Sequence, residues 1–148
     1  MKYLSAIIFF VSIIFNTNPA KSFTDEITLF DSSSQAVAYI AEELTIYLWS
    51  GNPVAYLEED NAGGFHVYGY NGKHLGWLVQ NVVWNHNGKA VGALREGFKD
   101  PPNSEPFKSF KQFKPFKAFK EFAPFRPIFT KSWSDTPFKL FLLRGASV

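Results

Sequence analysis

Three histidines, His66, His74 and His86, are the only imidazoles in the chain, and no cysteine accompanies them. Their spacing matches no ligand pair such as H-E-x-x-H, so they imply hydrogen-bonding histidines and no metal site. Acids cluster at Glu42-Glu43 and Glu58-Glu59-Asp60. Paired carboxylates can hydrolyse a glycosidic bond, but these sit at the ends of apolar runs, where carboxylates are solvated. There is no G-x-S-x-G elbow and no glycine loop to cradle phosphate. No catalytic residue, cofactor or enzymatic activity is therefore expected. Two groups of side chains remain. The rings of Tyr39, Tyr47, Tyr56, Tyr68, Trp77 and Trp84 could form a platform for a glycan or other flat ligand. Lys108, Lys111, Lys114, Lys117, Lys120 and Arg126 could meet an anionic envelope surface.

The rings owe their positions to a repeat. Four gapless units of one length run from Ile27 to Glu42, Leu44 to Glu59, Phe65 to Gln80 and Asn81 to Glu96. Their fourth positions are Phe30, Tyr47, Tyr68 and Trp84, and their eighth are Ser34, Gly51, Gly72 and Gly88. The eleventh are Val37, Val54, Leu75 and Val91; the twelfth, all small, are Ala38, Ala55, Gly76 and Gly92; the fourteenth are Ile40, Leu57, Leu78 and Leu94. Internal repetition of this kind governs the fold. Asn71-Gly72 and Asn87-Gly88 between alternating apolar runs read as two-residue type I′ turns, so each unit is a β-hairpin. That turn places Tyr68 opposite Leu75 and Val67 opposite Gly76. One face then carries the aromatic and Val/Leu columns with His66 and His86; the other carries the small column, the Ile/Leu column and His74. Both faces are apolar, so the four hairpins must close on one another, with the small column near a common axis.

The segments GNPVAYL, YGYNGKHLGWL and HNGKAVGAL carry a resemblance to the small bacterial proteins with a four-fold β-flower domain. The resemblance covers about Ile27 to Glu96. It implies four hairpin petals around a pseudo-four-fold axis and brings no active site with it.

The chain around this repeat divides into distinct parts. Residues 1–22 read as a signal peptide: Lys2, an uncharged stretch from Tyr3 to Phe15, then Ala20-Lys21-Ser22. That run is shorter than the roughly 20 residues of a membrane helix, so a secreted or periplasmic location is expected. The domain follows over 23–100, an arm over 101–131 and a short C-terminal helix over 132–148. In the arm Phe recurs at 107, 110, 113, 116, 119, 122 and 125, and prolines share a third edge. A period of three fits polyproline II, about 60 Å long at roughly 3 Å per residue. Between Phe23 and Pro102 ten acids face four bases, net −6; between Asn103 and Lys131 seven bases face two acids, net +5. The arm is expected to dock on the acidic domain with its Phe edge inward, and an extended arm of this kind could also link a homo-oligomer. Export argues against nucleic acid. The helix, with Thr136 as N-cap and Pro137 at its first position, is expected to plug an apolar opening.

Overall fold

The computed structural model describes residues 26–102 and 104–147, so the expected signal peptide lies outside the described residues. The fold is all-β with one short helix. Strands β1 (Ile27–Phe30), β2 (Ala36–Ile40), β3 (Thr45–Leu48), β4 (Pro53–Glu59), β5 (Phe65–Gly69), β6 (His74–Val79), β7 (Val82–Trp84) and β8 (Ala90–Ala93) each pair antiparallel with the next. A single pair, Phe30 with Ala93, joins β8 to β1 and closes the barrel. Helix α1 (Phe138–Leu143) follows at the C-terminus.

The hairpin loops differ from the expected type I′ turn. In the third hairpin the Gly72 amide donates to the Gly69 carbonyl at 3.0 Å, and the Gly69 amide to the Lys73 carbonyl at 2.8 Å. The other hairpins repeat this pair of bonds: Ser34 to Asp31 and Asp31 to Gln35, Gly51 to Leu48 and Leu48 to Asn52, Gly88 to Asn85 and Asn85 to Lys89. Only the last loop residue has positive φ, 60° at Ser34, 88° at Gly51, 86° at Gly72 and 74° at Gly88. These are three-residue loops that end in a bulge, which need one left-handed residue rather than two. Asp31 and Asn85 pin their loops further, each accepting two loop amides on Oδ1.

The bulge changes which side chains face inward. Val67 pairs with Gly76 as expected, but Tyr68 pairs with His74, not Leu75. His74 therefore joins the outer face, while Val54, Leu75 and Val91 turn into the barrel core. They join Leu29, Ile46, Val67 and Val83 from one strand of each hairpin, and Ile40, Leu57 and Leu78 from the other. A barrel of eight strands has an interior that side chains can fill. Here α1 completes the filling at the hairpin-tip end, with Phe138, Phe141 and Leu142 buried.

The small column makes room for that plug. A Cβ at Gly92 would stand 2.5 Å from the Phe138 ring, and one at Gly76 would collide with the Trp84 carbonyl. Its members serve a ring from α1 and a neighbouring strand, not one shared axis contact. The helix begins one residue later than expected. Pro137 is extended, with ψ 138°, and acts as N-cap, while the Thr136 amide is taken by Ser134 Oγ at 3.1 Å.

Candidate functional site

The barrel's outer face and the arm form one interface, built on matched periods. Amides of Gln112, Glu121 and Thr130 donate to the carbonyls of Gly51, Gly72 and Gly88 at 2.8–2.9 Å. Amides of Ser109 and Ala118 donate to the equivalent carbonyls of Trp49 and Tyr70; the next residue in that series, Pro127, has no amide hydrogen. Nine arm residues thus advance the chain from one hairpin tip to the next. At each crossing a glycine is needed, because a Cβ on Gly51, Gly72 or Gly88 would run into the carbonyl of Phe110, Phe119 or Ile128.

Side chains follow the same step. The outer rings pair across neighbouring hairpins: Tyr39 stacks on Tyr47, Tyr56 on Tyr68, and Trp77 lies opposite Trp84. Lys108 Nζ sits 4.4 Å from the centre of Tyr39 and Lys117 Nζ 4.1 Å from that of Tyr56. Lys111 and Lys120 lie 5.6 and 5.3 Å from Tyr47 and Tyr68. In the third place of that series Phe129 replaces lysine and stacks on Trp84 with centroids 4.7 Å apart. Arg126 reaches Asp60 and covers Phe129. All six candidate rings are buried, between 1% and 8% exposed.

Carboxylates complete the contacts. Lys108 pairs with Glu26; Lys111 bridges Glu26 at 2.7 Å and Glu42 at 3.1 Å; Lys114 pairs with Glu43 and Lys120 with Glu58. Burial alone would raise the Glu26 carboxyl, but hydrogen bonds and charge from Lys108 and Lys111 outweigh it and hold it below the usual range. Burial likewise opposes ionisation of Asp60, and is overcome by the amides of Ala62 and Gly64 and by Arg126. Lys111 is raised, chiefly by its bond to Glu26. Burial pushes Tyr56 up to about 12, with Glu58 adding to the effect.

The cations occupy the side of the arm where phenylalanine was expected. Phe107, Phe110, Phe113, Phe116, Phe119, Phe122 and Phe125 are all 98–103% exposed, and Ile128 is 89% exposed. A three-residue period gives the arm three edges. One donates amides to the hairpin tips and one carries the cations to the Tyr faces and carboxylates, so the Phe edge points away. The faces beneath are electron-rich rings bordered by acids, which suit an ammonium group better than a phenyl ring.

Turning His74 outward brings the three histidines together. His66 Nδ1 lies 3.0 Å from His74 Nε2, and His74 Nδ1 lies 2.9 Å from His86 Nε2. His74 is 2% exposed, wedged against Tyr68 and Trp77, and its amide donates to Glu121 Oε1 at 2.6 Å. Both its ring nitrogens are used, so the chain of rings relays hydrogen bonds and does not converge on a cation. Burial, followed by the nearness of His86 and His66, lowers the His74 pKa to about 4. Burial also lowers His86, against the opposing charge of Glu121.

A family described as 4-fold beta flower protein matches residues 27–142. The chain belongs to this family. No curated protein and no solved structure matches it. The family match runs beyond the hairpins, through the arm and into α1 of this beta flower protein, so all three parts lie within one family unit. The histidine chain was hidden from sequence reading because Asn-Gly suits either loop type, and the wrong one sends His74 inward. The arm's nine-residue step did leave a trace: Lys111, Lys120 and Phe129 stand in series against Tyr47, Tyr68 and Trp84.

Proposed function

We propose that this protein is an exported, non-catalytic interaction module, in which four hairpins in four-fold arrangement carry a polyproline-II-like arm that displays phenylalanine to a partner. The observation that carries this reading is the full exposure of seven Phe side chains on a segment whose backbone and cations are bound to the barrel. Each Phe buries roughly 150–250 Å² when covered. Together they far exceed the 300–600 Å² of a typical monomer's largest apolar patch. Burying them would supply about 10–20 kcal/mol in total, which the isolated chain leaves unused.

Charge narrows the partner. Five of the six arm cations proposed for an anionic surface are paired with barrel carboxylates, and the sixth, Lys117, caps Tyr56. The outward edge is consequently apolar and uncharged, which suits a second apolar edge of the same kind. Homo-oligomerisation through the arms is the reading these facts favour. A glycan platform on Tyr39, Tyr47, Tyr56, Tyr68, Trp77 and Trp84 would require the arm to leave, since those rings lie beneath it.

Sedimentation velocity of the exported chain tests the reading. Wild type should associate at micromolar concentration, and the quadruple change Phe110→Ser, Phe113→Ser, Phe116→Ser, Phe119→Ser should yield a monomer with an unchanged melting temperature. A wild-type chain that stays monomeric at hundreds of micromolar would overturn association through the arm.

A further inference from the structure

The barrel's two ends are unlike. Helix α1 closes the hairpin-tip end, whereas a cavity of about 210 Å³ lies where the hairpins are joined to one another. Its wall draws on two positions of every repeat unit. The first positions supply Ile27, Leu44, Phe65 and Asn81; the fourteenth supply Ile40, Leu57, Leu78 and Leu94. Gln80 stands at the rim beside Asn81, and the Gly63-Gly64 loop completes it. Among the described residues no charged side chain lines the space, although Glu42, Glu43, Glu58 and Asp60 occur nearby in the chain. The arm accounts for this: its cations pair with all four of those carboxylates.

The rim is also held in an uncommon backbone. Glu43 and Leu44 have φ of 58° and 59°, and Gln80 and Asn81 have 51° and 67°. An L-residue with a bulky side chain seldom adopts this region, and such residues mark sites that the surrounding fold holds in place. Leu44 is the bulkiest apolar case, and its placement adds a wall to the cavity.

We propose that this mouth is a binding site for a small uncharged ligand with an apolar body and one polar end, of the class of a medium-chain alcohol or a single-ring phenol. Volume sets the body. At roughly 30 Å³ for each water-sized group the space takes about seven non-hydrogen atoms. Ile, Leu and Phe side chains take the apolar part, while the amides of Gln80 and Asn81 at the rim take a hydroxyl. An ionised head would meet no opposite charge in the lining, so a carboxylate or an amine of equal length binds more weakly. The site lies at the opposite end of the barrel from α1 and does not use the Phe edge, so it stands independently of self-association.

Heptan-1-ol titrated into the full chain tests the site, read by methyl resonances of Ile, Leu and Val. The expected result is saturable movement confined to Ile27, Ile40, Leu44, Leu57, Leu78 and Leu94, with heptanoate at neutral pH at least tenfold weaker. Leu57→Phe fills the cavity from its wall and should abolish the movement; Leu78→Phe, from the next hairpin, does the same should the first variant fold poorly. The proposal is overturned by any of three outcomes. These are linear, unsaturable shifts, shifts that survive both fillings, or no movement of these methyls in the wild type.

Discussion

His74 combines near-complete burial with two imidazole neighbours, and this makes it the residue whose protonation the fold resists most clearly. Three neutral rings can pass hydrogen bonds in one direction, the middle ring accepting from one neighbour and donating to the other. A second proton on the middle ring would place N–H against N–H at one junction unless a neighbour gave up its own. The folded value of about 4 lies below the unfolded 6.5. The unfolded chain therefore binds more protons between those values, so stability is whole above pH 6.5 and declines as pH falls towards 4. The lowered His86 acts with the same sign. Glu26, Glu42, Glu43 and Asp60, also lowered, retain their contribution above their unfolded values of 4.5 and 3.8 and lose it only at lower pH. Urea unfolding at successive pH values should show the first decline in wild type. His74→Gln, which keeps a donor and an acceptor, should make the segment from 6.5 to 4 shallower, leaving the part due to His86 and the more acidic decline in place. An identical profile in the variant would assign the first decline to other groups.

At the scale of elements, the arm is held by its step matching the hairpin spacing, and the glycines at the crossings are where this can be tested. Gly72 and Gly63 both have positive φ, 86° and 85°. A Cβ on Gly63 meets open space, whereas one on Gly72 meets the Phe119 carbonyl. Gly63→Ala should cost about 1–2 kcal/mol, the strain of the left-handed region alone. Gly72→Ala should cost about 2–4 kcal/mol, since it also lifts the arm, and hydrogen exchange of the Glu121 amide should accelerate in that variant only. Equal costs would mean the arm does not bear on the hairpin tips. Much of this level was legible in the residues themselves. The columns at Phe30, Tyr47, Tyr68 and Trp84 located the strands, and Thr136-Pro137 located the start of the plugging helix to within one residue. The register beyond each loop was not legible, because an Asn-Gly pair satisfies two loop types that differ by a residue. The direction of the Phe edge was lost for another reason. Apolar burial, counted alone, favours phenylalanine inward, and only the arrangement of Tyr faces between Glu26, Glu42, Glu43 and Glu58 shows why lysine takes that side.

For the whole molecule, the closure of the barrel is the weakest join. Strands β4 and β5 share five registered pairs, from Ala55 with Gly69 to Glu59 with Phe65, while β1 and β8 share only Phe30 with Ala93. Side chains reinforce this seam from outside. Phe98 meets Phe30 edge-on with centroids 6.1 Å apart and stacks on Trp133 at 5.9 Å, and Arg95 lies 5.4 Å from the Phe30 ring centre. Trp133 in turn is tied to β8, since the amide of Ala90 donates to Ser132 and that of Ser134 to Ala90. The segment just after the arm thus fastens the two terminal strands, which have few ladder bonds between them. Local opening follows the sparsest contacts. Amides of Ile27–Phe30 and Ala90–Ala93 should therefore exchange before those of Val54–Glu59 and Phe65–Gly69. Phe98→Ala should widen that difference and lower stability by about 1–3 kcal/mol, less than the 3–5 kcal/mol of a fully buried Phe, because this ring is half-buried. Protection at β1 and β8 equal to that at β4 and β5, unmoved by Phe98→Ala, would show that α1 braces the barrel from within and that the outer seam carries little of the closure.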